Sequence, residues 1–455
     1  MDPATFVDPN LTQPDLLVLK CLLRDIEDVQ SKQPALKSNG NGHANGSSTG
    51  SSTRDTTKET ASFRGPSRDN IKPVDKETIE HLKNLNDPTH DDFDPTVFVT
   101  WDTQHLPFPA IVQQWLIKPY VAMARKLVRV ETDVAMFSHL LLYFTTSVPS
   151  AIILFYNFTW VHGILHWLMQ SWYMGTYTLM MHQHIHMGGV LNKKLRLFDY
   201  LFPYITNPLM GHTWNSYYYH HVKHHHVEGN GPEDRSSTLR YQRDDLFDFL
   251  AYVGRFLFLV WIDLPVYFLQ KGKYVMAGKA AFWEIGNYLV LISLITMVNA
   301  RATVFVFLLP LLLMRIGMMV GNWGQHALVD EIDPTSDYRS SITLIDVPSN
   351  RFCFNDGYHT SHHLNPRRHW RDHPMAFLSQ KARYSNEQAL VFRNIDYIMM
   401  TVKLLQKDYM HLAKCLVPIG EEQINMTIEQ RAGMLKRKTR KFSEEDISKL
   451  YGKSK

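Results

Sequence analysis

Four apolar stretches, at residues 136–158, 160–181, 284–300 and 303–320, constrain this chain more than any other feature of its sequence. Each holds at least the roughly 17 residues that a helix needs to cross a bilayer core about 30 Å thick. A turn of a few residues around Asn157 parts the first two, and a short break parts the others, so the stretches pair as two helical hairpins. Lys118, Arg125, Lys126 and Arg129 precede the first stretch; Lys193, Lys194 and Arg196 follow the second. Basic flanks stay on the cytosolic side, which puts both ends of the hairpin, and both termini, in the cytosol. The expected fold is an all-α membrane protein with four transmembrane helices in two hairpins. Residues 246–270 are apolar too, but Asp248, Arg255 and Asp263 interrupt them. A crossing there would put the later histidines on the opposite side, so this stretch is expected to lie along the interface.

Outside the apolar stretches the chain is polar. An N-terminal segment, 1–37, carries an amphipathic helix over 16–29, and residues 38–75 are a Gly-, Asn-, Ser- and Thr-rich tract that reads as a disordered linker. A membrane domain over 76–410 follows, then a basic cytosolic tail over 411–455. The net charge of +4 is small, and no stripe of Lys and Arg interleaved with aromatics points to nucleic acid. Three widely spaced cysteines, Cys21, Cys353 and Cys415, do not make a disulfide framework and fit a reducing compartment.

Histidine, at 23 copies, is the compositional anomaly, and much of it falls in four groups beyond the ends of the apolar stretches. His182 and His186 share a helix face one turn apart. In His220-His221-Val222-Lys223-His224-His225-His226 two registers fit, His221/His224/His225 or His221/His225/His226. Asn322 and His326 again stand one turn apart, and His359/His362/His363 form the last group. Neutral imidazole suits divalent iron, and one helical turn brings two rings to one metal. Nine or ten such nitrogens are enough for two metals and too many for one zinc. Cysteine is missing from all four groups, which removes zinc fingers and iron–sulfur centres, and no His-Glu-x-x-His occurs, which removes the common zinc proteases. His162 and His166 lie about 25–30 Å up the helix from His182 and His186 and are expected to pack or sit at the far interface. Glu228, Asp234, Asp330 and Asp356 stand near the groups in sequence and are candidate acceptors for the second N–H of ligand imidazoles.

As a set, HxxxH, HxxHH, NxxxH and HxxHH resemble the pattern of the membrane fatty acid desaturase and hydroxylase superfamily. The resemblance implies a four-span core with a cytosolic helical cap and two iron ions held by imidazoles. Carried across, the ligands would come from His182, His186, His221, His224, His225, His226, His326, His359, His362 and His363, with Asn322 a weaker or water-mediated contact. It further implies O2 as co-substrate, electrons from a separate cytochrome b5-type or ferredoxin donor, a lipid acyl substrate, and residence in the endoplasmic reticulum. No HPGG of a fused cytochrome b5 occurs, and His359 rather than Gln opens the last group. The expected activity is O2-dependent oxidation of an unactivated C–H bond, foremost desaturation; hydroxylation and acetylenation would use the same ligands. A metal transporter is the reading from another class, but transporters hold ligands near the bilayer midplane, whereas these groups lie beyond the ends of the stretches.

Overall fold

The computed structural model describes residues 2, 4–9, 11–32, 71–99, 101–345 and 348–452. Most of the expected 38–75 linker falls outside those residues, and from Pro73 the chain is helical, over Pro73–Asn84. Helices dominate. Two small sheets accompany them: Thr96–Phe98 antiparallel to Trp101–Asp102, and Ile342–Leu344 parallel to Leu390–Phe392.

Among the described residues, three helical stretches are long and apolar enough to cross a membrane: Val134–Tyr156, Leu246–Gln270 and Tyr274–His326. Helices suit that setting because they satisfy every backbone group internally. The expected second stretch lies in the Trp160–Met187 helix, which has the length but carries buried polar residues along it, among them His166, Gln170 and His182. The Tyr274–His326 stretch is not one rod. Asn299 adopts extended backbone and caps the turn that follows, and Glu284 and Arg315 on either side of it meet at 2.6 Å. A straight helix would hold them about 46 Å apart, so the stretch folds back on itself at Asn299.

Leu246–Gln270, expected to lie along the interface, also has the composition of a span. Its two ends nevertheless reach one loop. Tyr252 donates to the Ser236 carbonyl at 3.1 Å and Tyr267 to Glu228 at 2.6 Å, although about 22 Å of helix separates them. The helix therefore runs alongside the 228–236 loop. A second apolar helix, Arg196–Leu209, was not foreseen. It buries Phe202 and Thr206 and exposes Leu197, Phe198, Leu201 and Ile205. Pro203 and Pro208, which lowered its helical signal, sit inside it.

Both polar ends belong to the core. The N-terminal helix, Gln13–Lys32, buries Val18, Leu19 and Leu22 against Tyr358 and Phe377, and Asp15 accepts from the Tyr358 hydroxyl at 2.7 Å. Residues 411–452, expected as a solvated basic tail, instead bury Leu435, Thr439 and Phe442. The cause is Arg243, wholly buried, whose guanidinium donates only to backbone carbonyls: Thr238, Leu239, Tyr241, Ala327, Lys438 and Arg440. One side chain thus ties the C-terminal segment to the residue after His326. Arg243→Ala should strand these acceptors and cost on the order of 3 kcal/mol or more, seen as a lowered melting temperature of the detergent-solubilised protein; an unchanged melting point would contradict this role.

Candidate metal centre

The Trp160–Met187 helix ends on Gly188, which takes the left-handed conformation (φ 69°) that glycine adopts without strain. Arg129 donates to the Met187 carbonyl at 2.7 Å, so a residue that marked topology in the sequence also caps this end. The helix thereby delivers His182 and His186 on its last turns. They join His221, His226 and His362, and one ring nitrogen from each of the five lies within 4.8 Å of the other four. Four of the Nε2 atoms form a closed circuit: His182 to His221 2.8 Å, His221 to His226 3.0 Å, His226 to His362 2.8 Å, and His362 to His182 3.0 Å.

Shared protons cannot satisfy such a group, because a neutral imidazole has one donor and one acceptor. Nitrogens bound to one ion at about 2.1 Å stand about 3 Å apart at right angles, which matches the circuit. The buried Nε2 of His186 has no hydrogen-bond partner, as a further ligand to the same ion would require. Burial, then the neighbouring imidazoles, holds His221, His226 and His362 well below the ordinary histidine range. Neutral rings are the form a metal takes.

A second group adjoins the first. His225, His326 and His363 bring ring nitrogens within 4.8 Å of one another, and the Nε2 of His359 lies 3.0 Å from that of His326. The buried Nε2 of His363 is also without a partner. Adjacent residues serve different groups: His225 and His363 the second, His226 and His362 the first.

The local backbone explains how. Tyr218–His225 is π-helical, so residues five apart come to one face. His221 and His226 therefore meet, and His224 turns away. Its Nε2 accepts the Arg235 backbone N–H at 2.9 Å, and its ring packs on Tyr267. Of the ten expected histidines the structure gathers nine, and of the two registers it brings together His221/His225/His226. Asn322 also stands aside, donating to the Ser236 carbonyl at 3.1 Å and the Tyr252 hydroxyl at 2.6 Å.

Of the four carboxylates expected behind the rings, Asp234 alone takes that place, and a further one, Asp337, joins it. Asp234, buried, bonds His225 Nδ1 at 2.7 Å and takes both the backbone N–H and the hydroxyl of Ser236. Burial alone would raise its carboxyl, but the His225 imidazole, by charge and hydrogen bond, holds it well below the usual carboxylate range. Asp337 lies 3.3 Å from His363 Nδ1 and went unforeseen, since the 25 residues between them leave no local signal. The other candidates have other partners. Glu228 accepts from Tyr267 and Lys271, and Asp330 from Lys438. Asp356 accepts from Gln325 at 3.4 Å, with burial pushing its carboxyl up to about 7. His162 and His166 pack far from the centre, bridged by the Ser150 hydroxyl at 2.8 Å to each.

The family model for fatty acid desaturases matches residues 159–389, just over half of the chain and the whole interval holding the four histidine groups. No curated protein and no solved structure matches the chain.

His226→Ala should lose bound metal, whereas His224→Ala should retain it, as counted by elemental analysis of the purified variants; the reverse order would favour the other register. Asp234→Asn should weaken metal binding by roughly 10–100-fold, read from chelator competition.

Proposed function

The chain belongs to the fatty acid desaturase family, and from that premise we propose that it oxidises an unactivated C–H bond of a fatty acyl or related lipid chain, with a carbon–carbon double bond as the product. The observation that carries this reading is the convergence of nine imidazoles into two adjoining groups without cysteine. In the proposal two iron ions occupy them, one held by His182, His186, His221, His226 and His362, the other by His225, His326, His359 and His363. Iron bound there supplies the activation of O2, using two electrons from a separate cytochrome b5-type or ferredoxin protein.

The chain's own residues do the rest. Asp234 and Asp337 fix the rings of His225 and His363 through their Nδ1 atoms, leaving Nε2 for the metal. Burial keeps the rings unprotonated. Arg243 and Thr238 brace the His326 end, Thr238 by donating to the His326 carbonyl at 2.7 Å. Three helical stretches long and apolar enough to cross a membrane support a place for the centre beside a bilayer, the natural store of a substrate whose reacting carbons are hydrocarbon. The proposed orientation puts the centre and both termini in the cytosol, at the endoplasmic reticulum, with Leu246–Gln270 alongside the cap.

Comparison of lipids from cells with and without the protein, by mass spectrometry, tests the reading. The expected result is an O2-dependent rise in one unsaturated acyl species that His362→Ala abolishes. An alcohol in its place would overturn desaturation. Unchanged lipids together with purified protein that holds less than about one iron per chain after anaerobic reconstitution would overturn the whole reading.

A further inference from the structure

A second set of donors lies apart from the histidine groups, on and beside the Thr96–Phe98 and Trp101–Asp102 strands. Asp94, Asp102 and His105 each offer one atom, and the three atoms lie within 4.8 Å of one another. Asp94 is only 1% exposed. Its Oδ1 accepts the Gln104 backbone N–H at 3.2 Å, while its buried Oδ2 has no hydrogen-bond partner. Burial, with the Asp102 carboxylate beside it, pushes the Asp94 carboxyl up to about 6, so it is still mostly ionised at neutral pH.

The surrounding charges do not balance. Arg371 is the cation of this region, and its guanidinium donates to Asp102 at 3.1 Å, Thr96, Asn86 and the backbone carbonyl of Asp94. It bonds one carboxylate, Asp102, and meets Asp94 by hydrogen bond through the main chain, so one cation is shared between two carboxylates. An ionised carboxylate buried without a counter-charge is costly. A carboxylate oxygen of Asp94, one of Asp102 and the His105 imidazole lie within the same few ångströms.

We propose that Asp94, Asp102 and His105 bind one divalent cation, separate from the histidine centre. Two carboxylates and one imidazole with no sulfur suit a borderline-to-hard ion, zinc foremost. Donors about 2.1 Å from one tetrahedral ion stand about 3.4 Å apart, so side-chain movements on the order of an ångström close the site. A cavity of about 280 Å³ opens at Asp102 and His105, lined also by Asn86, Thr96, Asn355 and Arg371, with room for a water as fourth ligand. The bound ion would pin the 94–105 segment where Arg371 already holds it. Arg371 follows Trp370, whose carbonyl accepts from Asn355 at 3.0 Å, just ahead of the last histidine group. The site is thus a structural clasp on the segments that flank that group.

The test counts metal on the full-length protein in detergent. Wild type, Asp94→Asn and His105→Ala are saturated with Zn2+, freed of excess by desalting, and analysed for metal per chain by mass spectrometry. Both variants should carry one equivalent less than wild type. His105 is exposed, so its truncation leaves the fold in place even if Asp94→Asn does not fold. Equal metal in wild type and His105→Ala overturns the proposal. Because the measurement is a difference between chains with intact histidine groups, its outcome is independent of what those groups bind.

Discussion

Nine imidazoles with their nitrogens a few ångströms apart form an arrangement that hydrogen bonds cannot satisfy, and much of the architecture can be read as what holds it in place. The rings arrive from four separate segments: the end of the Trp160–Met187 helix, the π-helical turn with the residue that caps it, the end of the Leu309–His326 helix and the His359–Leu364 helix. Buried imidazoles facing one another gain nothing without a shared partner, so the fold must supply the packing energy that keeps them assembled. It does so through the surrounding clusters and through braces at the ligand-bearing ends. Arg129 acts at Met187, Thr238 at His326 and Arg243 at Ala327.

The π-helical turn is the most economical of these devices. Its wider winding lets two neighbours, His225 and His226, serve different groups while His221 and His226 serve the same one. His362 and His363 divide in the same way on an ordinary helical turn. Two adjacent pairs thus straddle both groups, which is why the groups adjoin instead of standing as unrelated sites. The polar ends of the chain contribute as well. The N-terminal helix reaches Tyr358, next to His359, through Asp15, and the C-terminal segment reaches Ala327, next to His326, through Arg243.

The ion pair across the folded Tyr274–His326 stretch plays a different part. Glu284 and Arg315, both buried, are fully bonded, with Thr213 on one carboxylate oxygen and Tyr288 between the partners. Such pairs specify register more dependably than they add stability. Here the register is that of the hairpin folded at Asn299, and through Thr213 it extends to the loop that leads into the π-helical turn.

What the sequence determined by itself was what local periodicity and composition can carry: the apolar stretches, the helical fold and the four histidine groups with nine of the residues that meet. These follow from nearest-neighbour geometry, one turn of helix at a time. The tertiary structure decided what depends on partners distant in the chain. It turned His224 onto a backbone N–H, because π-winding is a cooperative backbone choice that residue spacing does not announce. It kept Asp234 among the four candidate carboxylates, set Glu228, Asp330 and Asp356 aside and brought in Asp337, because the reach of a carboxylate is set by folded loops and not by nearness in sequence. It also drew a lysine- and arginine-rich end into the core, since a solitary buried guanidinium needed carbonyls that only that segment could bring.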